Sequence, residues 1–187
     1  MLYIPVDMSK DVAKAKRAIE AETLRLYQQM PIEEIYIKTV CDNLDIARTT
    51  FYYHFSSIRE VIEAMENEFL EGLTTVYGRA AHLSDEARFF RVIAETKNYL
   101  FDNYDFMKAV LVDRPDASFV DRWTQSISDN MKAHCPNDAL KRYVSANVFI
   151  SLFIGAIKNN TPKDHIHPEA LVKRIYAFLS SPDGLVY

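Results

Sequence analysis

The sequence predicts an all-α fold. Only four glycines occur in 187 residues, at 72, 78, 155 and 184, too few for the turns of a sandwich or an α/β sheet. Apolar residues instead recur at three- and four-residue steps over long stretches, the spacing that lines one face of a helix. The breaks between those stretches hold proline, serine, asparagine and aspartate, residues that start or stop helices. With 49% apolar and 26% charged residues, the chain has a globular composition and can bury a substantial core.

From Lys10 to Met30, the residues Val12, Ala15, Ile19, Leu24 and Tyr27 define a first helix, closed by Pro31. Ile37, Val40, Cys41 and Leu44 form the apolar side of a short second helix, Ile37 to Leu44. Asp45 and Ile46 separate it from a third over residues 48 to 55, so the pair reads as a helix-turn-helix. Ser57 opens a longer helix. With Glu60 it has the S-x-x-E spacing of a capping box, and Val61, Met65, Phe69, Leu73 and Val76 carry the apolar stripe onward. Ser84 caps a helix running to about Asn103 through Phe89, Val92, Ile93 and Leu100. Phe106 to Val112 is a short one, and Pro115 starts another through Phe119, Trp123, Ile127 and Met131. Asn137 caps a long apolar helix, Ala139 to Lys158, and Pro168 starts the last one, which ends before Pro182.

A formal net charge of −4 excludes a broad basic coat. Residues 1–60 carry eight Lys/Arg against nine Asp/Glu, so any nucleic-acid contact must come from local patterning. Lys10, Lys14, Lys16 and Arg17 form one candidate patch. Cys41 and Cys135 are far apart and form no CxxC pair; each reads as a small buried hydrophobe or free thiol in a reducing compartment. The opening MLYIPVDMSKD lacks the basic start and apolar run of a signal peptide, and VFISLFIGAI (148–157) is too short to span a bilayer. A cytoplasmic protein without membrane association is expected. No nucleophile elbow, phosphate loop, HExxH or dinucleotide fingerprint occurs, so neither an enzyme nor a cofactor is expected. His165 and His167, beside Asp164, have no second pair at ligand spacing and read as surface-loop residues rather than a metal site.

The run ARTTFYYHF (47–55) holds four aromatic rings around a histidine. In a helix, Phe51 and Phe55 lie four apart on one face, which Leu44 and Ile46 meet from the turn. Arg48, Thr49, Tyr52 and Tyr53 are left outside, with His54 near the edge. Two readings fit such a face. It is an aromatic-rich packing helix, or it is a surface for the DNA major groove. There an arginine can fork to guanine, a threonine methyl can touch thymine and tyrosine hydroxyls can reach phosphates.

The segment from about Lys16 to Phe69 resembles the DNA-binding region of the TetR family of bacterial transcriptional regulators. AIEAETLRLYQQM matches the first helix, IKTVCDNL the second and ARTTFYYHF the third, while SSIREVIEAMENEF matches the start of the linking fourth helix. The resemblance implies a helix-turn-helix DNA-binding domain over residues 1–57 and a helical ligand-binding and dimerisation domain over 58–187. It also implies that Arg48, Thr49 and Tyr53 face base edges. Thr50, Tyr52 and His54 would touch phosphates, assisted by Tyr36 and Lys38. The implied partners are a palindromic double-stranded operator, a second copy of the chain and a small-molecule effector of unassigned class, which releases a repressor.

Dimerisation in such a protein uses the last two helices. Here Ala146, Ser151, Gly155 and Ala156 lie among bulky residues on the first of them, and the second offers Leu171, Ile175, Phe178 and Leu179. The same residues also suit an intramolecular core. Tyr99, Phe101, Tyr104, Phe106, Trp123 and His134 are available to line an effector pocket or to fill the core. Three positions depart from the family pattern. Asp45 replaces a turn glycine, Ala47 replaces a Ser or Thr cap at a cost of about 0.5–2 kcal/mol, and Ile58 replaces a phosphate-gripping lysine beside Arg59. They leave an alternative: a drifted helix-turn-helix that acts through a protein partner.

Overall fold

A computed structural model describes residues 6–79, 85–133, 135–166 and 169–180. Among them no strand occurs, and the all-α expectation holds. The α-helices are α1 (Val6–Tyr27), α2 (Ile37–Leu44), α3 (Arg48–His54), α4 (Ile58–Arg79), α5 (Asp85–Asp102), α6 (Tyr104–Lys108), α7 (Ala117–Asn130), α8 (Ala139–Lys158) and α9 (Glu169–Ser180). The chain divides into two units, Met1–Glu68 and Phe69–Tyr187, and α4 runs through the division.

In the first unit, α1 packs on α2 and α3, and α2 packs on α3. Helix α1 buries Ile19, Thr23, Leu26 and Tyr27, so Leu26 takes the core place expected of the half-buried Leu24. The helix also ends at Tyr27, three residues short of Met30. The Glu22 carboxylate accepts from Arg25 Nε at 2.8 Å and from Asn43 Nδ2 at 2.6 Å, which ties α1 to the end of α2. These donors hold the Glu22 carboxyl below its ordinary range, the Arg25 bond contributing most.

Helix α2 has the bounds its pattern predicts and stops at a complete Schellman motif. Asp45 sits in the left-handed region at φ 52, ψ 46. Its N–H donates to Asp42 O at 3.3 Å, and the next N–H, of Ile46, donates to Cys41 O at 3.0 Å. At the start of α4, the Glu60 N–H donates to Ser57 Oγ at 3.1 Å, half of the predicted capping box. The return bond differs: Glu60 Oε2 accepts from the Ser56 N–H at 2.6 Å and from the Ser56 hydroxyl. Phe55 leaves α3 extended, at φ −145, ψ 141, and this presents the Ser56 N–H to the carboxylate.

In the second unit, Phe69 is the hub of an aromatic cluster, 5.1 Å from the Tyr99 ring, 5.9 Å from Phe106, 5.8 Å from Phe119 and 6.0 Å from Trp123. Gly72 makes room for it, since a Cβ there would lie 1.9 Å from the Tyr99 hydroxyl. The short helix expected over Phe106 to Val112 is instead α6 followed by a π-helical turn, Ala109–Asp113. That turn packs on α8.

Two helix starts differ from their expected places. The Asp116 carboxylate accepts from the Phe119 N–H at 3.0 Å, so Pro115 precedes α7 instead of starting it. Asp138 rather than Asn137 caps α8, accepting from the Lys141 N–H at 2.8 Å. Ser84, Pro168 and Pro182 lie outside the described residues.

Helix α8 packs on α7 and α9 and buries Phe149, Ile150, Phe153 and Ile157. By length and composition alone it is long and apolar enough to cross a membrane, with mean hydropathy 1.3, because the helix is twice the length of its most apolar run. Half of that window is buried within the protein. Part of the remaining surface is apolar and open: Leu140 is 70% exposed, Tyr143 53%, Val144 44% and Val148 36%. His165 is exposed in the turn Lys163–His165, and His167 lies outside the described residues.

Candidate nucleic-acid interface

Helix α3 is two turns long and depends on its neighbours for stability, since so short a helix is marginal alone. Ala47 is its extended N-cap, at φ −69, ψ 146, and supplies no side-chain acceptor. The Thr50 N–H therefore turns back to Ala47 O at 2.9 Å. Phe51 is fully buried and Phe55 is 3% exposed, their ring centroids 6.1 Å apart. Both point inward as the four-residue spacing predicts, although Phe55 lies one residue past the helix end in extended backbone. Ile58 is also buried at 7% exposure, so the position expected to grip phosphate serves packing, and exposed Arg59 stands beside it.

That inward clamp leaves Arg48, Thr49, Tyr52 and Tyr53 exposed and Thr50 and His54 half-buried. Arg48 and Tyr52 form one row along the helix, Thr49 and Tyr53 the next. Tyr52 stands edge-on to Phe51 at 5.9 Å, and Tyr53 edge-on to His54 at 5.0 Å. Thr49, Thr50, Tyr53 and His54 border one open groove with Asp11, Val12 and Ala15 of α1. Tyr36 (66% exposed, at the N-cap of α2), Lys38, Arg48 and Tyr52 lie outside that groove's walls.

The charges on this unit are mixed. Lys38, Arg48 and Arg59 are exposed, as are Asp42 and Asp45. Of the predicted basic patch, Lys14 and Arg17 are exposed, while Lys16 pairs with Glu20 at 3.1 Å and Glu68 at 3.7 Å. Lys10 lies outside the described side chains. Burial pushes the Cys41 thiol up and the nearby Arg48 guanidinium pulls it down, so Cys41 is a neutral packing residue close to the exposed face of α3.

The second unit contains a narrow cavity between α4, α5, α7 and α8. Of the six residues singled out for an effector pocket, Trp123 alone lines it. Tyr99 and Phe106 surround Phe69, Phe101 stacks on Tyr104 at 6.0 Å, and His134 lies outside the described residues. Tyr77, Phe89, Phe149 and Phe153 line the cavity without having been singled out. Burial holds the Tyr77 phenol above its ordinary value, with the Ser126 hydroxyl acting in the opposite direction, so a neutral hydroxyl faces the cavity.

The chain matches no protein-family model, and no curated protein matches it by sequence. Solved structures do match over most of its length. A chain from Syntrophomonas wolfei, assigned to the TetR-family transcriptional regulators, aligns with TM-score 0.66 and 13% identity over 89% of this chain and 93% of its own. A Clostridium perfringens protein, assigned as a fatty acid metabolism regulator, aligns with TM-score 0.64 and 16% identity over 91% and 99%. A transcriptional regulator from Aquifex aeolicus aligns with TM-score 0.62 and 12% identity over 87% and 96%. The fold is that of the TetR-type regulators, an N-terminal helix-turn-helix followed by a helical C-terminal part.

Proposed function

We propose that this chain, built on the TetR-type fold, is a sequence-specific DNA-binding transcriptional regulator. In this reading it works as a cytoplasmic homodimer, residues 1–57 read the operator, and a small-molecule effector bound within 58–187 releases a repressor. The observation that carries the reading is the recognition face of α3. Buried Phe51 and Phe55 hold the helix down while Arg48, Thr49, Tyr52 and Tyr53 face outward behind a tightly closed turn. That side-chain set can donate a fork to guanine, place a methyl on thymine and reach phosphate oxygens. Tyr36 and Lys38 stand at the start of α2, where backbone phosphate contacts would fix the register, and Thr50 and His54 flank the reading rows.

One two-turn helix reads few bases, so two copies must present recognition helices about 34–36 Å apart. The open apolar face of α8 supports pairing with a second copy. Leu140, Val144 and Val148 recur along it at four-residue steps, and a Cβ at Gly155 would meet no atom within 4 Å. Release then follows from an effector that binds one spacing of the recognition helices better than the other, with α4 as the lever between site and reader. A coupling of about 1–3 kcal/mol suffices.

The test is a selection of binding sites from a random duplex pool at low salt. A two-fold symmetric motif is expected. Recovery of nothing above background from folded, dimeric protein overturns the proposal and favours a protein partner for the same surface.

A further inference from the structure

The cavity in the second unit combines an apolar wall with polar groups that lack partners. Phe89, Val92, Ile127, Phe149 and Phe153 supply most of the wall. Trp123 is fully buried and Thr96 is 6% exposed; both line the cavity, and neither Trp123 Nε1 nor Thr96 Oγ1 has a hydrogen-bond partner among the described residues. An indole N–H is a donor only, so the group it lacks is an acceptor. Buried donors are satisfied almost everywhere in native proteins, which makes two unpartnered groups on residues that line one cavity informative.

The third observation is charge. Arg88 is the one charged side chain lining the cavity among the described residues; it is half-buried and forms no ion pair with them. A guanidinium cannot deprotonate, and its planar fork matches a carboxylate. Space sets a further limit. The cavity is narrow, which admits only a slender molecule. We propose that this cavity binds a slender organic monocarboxylate. Its carboxylate pairs with Arg88, its apolar body lies along Phe89 and Phe149, and Trp123 Nε1 donates to an oxygen of the ligand. This deepens the ligand-responsive reading above by naming the ligand class.

Trp123 is the only tryptophan in the sequence, so its emission reports this cavity and nothing else. The test titrates the full chain, without DNA, with octanoate, its neutral analogue octanamide and octylamine. Octanoate is expected to change the Trp123 emission saturably, octanamide to bind about tenfold more weakly for want of a charged partner to Arg88, and octylamine to give no saturable change. Arg88→Met is expected to bring octanoate down to the octanamide level while the thermal melt stays unchanged. Equal binding of octanoate and octanamide, no saturable change with any of the three, or an Arg88→Met chain that keeps the preference overturns the proposal. The comparison of the two analogues on the parent chain needs no variant, so it decides even if Arg88→Met does not fold. Because no DNA is present, failure here leaves a recovered operator motif standing. A saturable octanoate response without such a motif fails the regulator reading alone.

Discussion

Replacing Asp45 separates two penalties that this residue imposes on the helix-turn-helix. At φ 52, ψ 46 it is the left-handed C-cap of α2, and its side chain is exposed. The left-handed region costs an ordinary L-residue about 1–2 kcal/mol, less for Asp and Asn, and glycine nothing. Glycine gives back about 0.5–1 kcal/mol through the greater freedom it loses on folding. Asp45→Gly is therefore expected to stabilise the chain by about 0.5 kcal/mol, Asp45→Asn to leave it near the parent, and Asp45→Ala to destabilise it by about 1 kcal/mol. The charge acts separately. One negative charge about 10 Å from a DNA phosphate in water opposes binding by about 0.4 kcal/mol, a factor of about two at low salt. Asp45→Gly and Asp45→Asn should share that gain in affinity although they differ in stability. Urea unfolding followed by circular dichroism gives the first order, Gly above Asn and Asp above Ala. Fluorescence anisotropy on a selected duplex gives the second, Gly and Asn together above Asp. An alanine variant as stable as the glycine one would refute the conformational argument, and an asparagine variant that binds no more tightly would refute the electrostatic one.

Ala47→Ser offers an oxygen to the free N–H groups of the first turn of α3 and should stabilise that helix by about 0.5–2 kcal/mol. Slower hydrogen exchange of the α3 amides checks it, and unchanged exchange would mean the cap is already met. Arg48→Ala should alter sequence preference, by about 1–3 kcal/mol at one base pair, whereas Lys38→Ala should weaken binding to every sequence alike; matching profiles from selections with the two variants would contradict these roles. The Ser56 bonds hold the Glu60 carboxyl below its ordinary range, so its support of the α4 start is complete above that range and is lost as pH falls through the depressed value. Thermal melts at falling pH should show this acid limb in the parent and not in Glu60→Gln; identical limbs would assign it to other carboxylates. Gly72→Ala forces the Tyr99 ring aside and should destabilise by about 1–3 kcal/mol, with Tyr99→Ala relieving the clash in a double-mutant cycle; additive losses would deny the contact.

What was legible in the sequence is what one helix decides by itself. The bounds of α2 follow from its own apolar positions and from a residue at 45 that tolerates the left-handed turn. The outward set on α3 follows from the 3.6-residue period once Phe51 must be buried. The start of α7 and the cap of α8 fall elsewhere than the pattern places them for a physical reason: a cap is whichever side chain reaches the N–H three residues on. Asp116 and Asp138 reach it, where Pro115 lacks an acceptor and Asn137 stands one position too early. The π-turn after α6 leaves no local mark, because its extra residue is accommodated by packing on α8 rather than by turn chemistry.

The cavity depends on distances between helices, and no local pattern contains them. Phe106, plausible as a pocket wall by chemistry, is core, and half-buried Tyr99 stacks on Phe69 because Gly72, far away on α4, leaves room for its ring. Trp123 shows both sides of the distinction. Its burial follows from the stripe of α7, where Phe119, Trp123 and Ile127 recur at four-residue steps. Its N–H is unpaired among the described residues, and the neighbours that α5 and α8 bring to the same cavity, Phe89, Phe149 and Phe153, carry no acceptor. The same packing that sets the cavity's chemistry, an apolar wall with one guanidinium, is what no local pattern in the sequence contains.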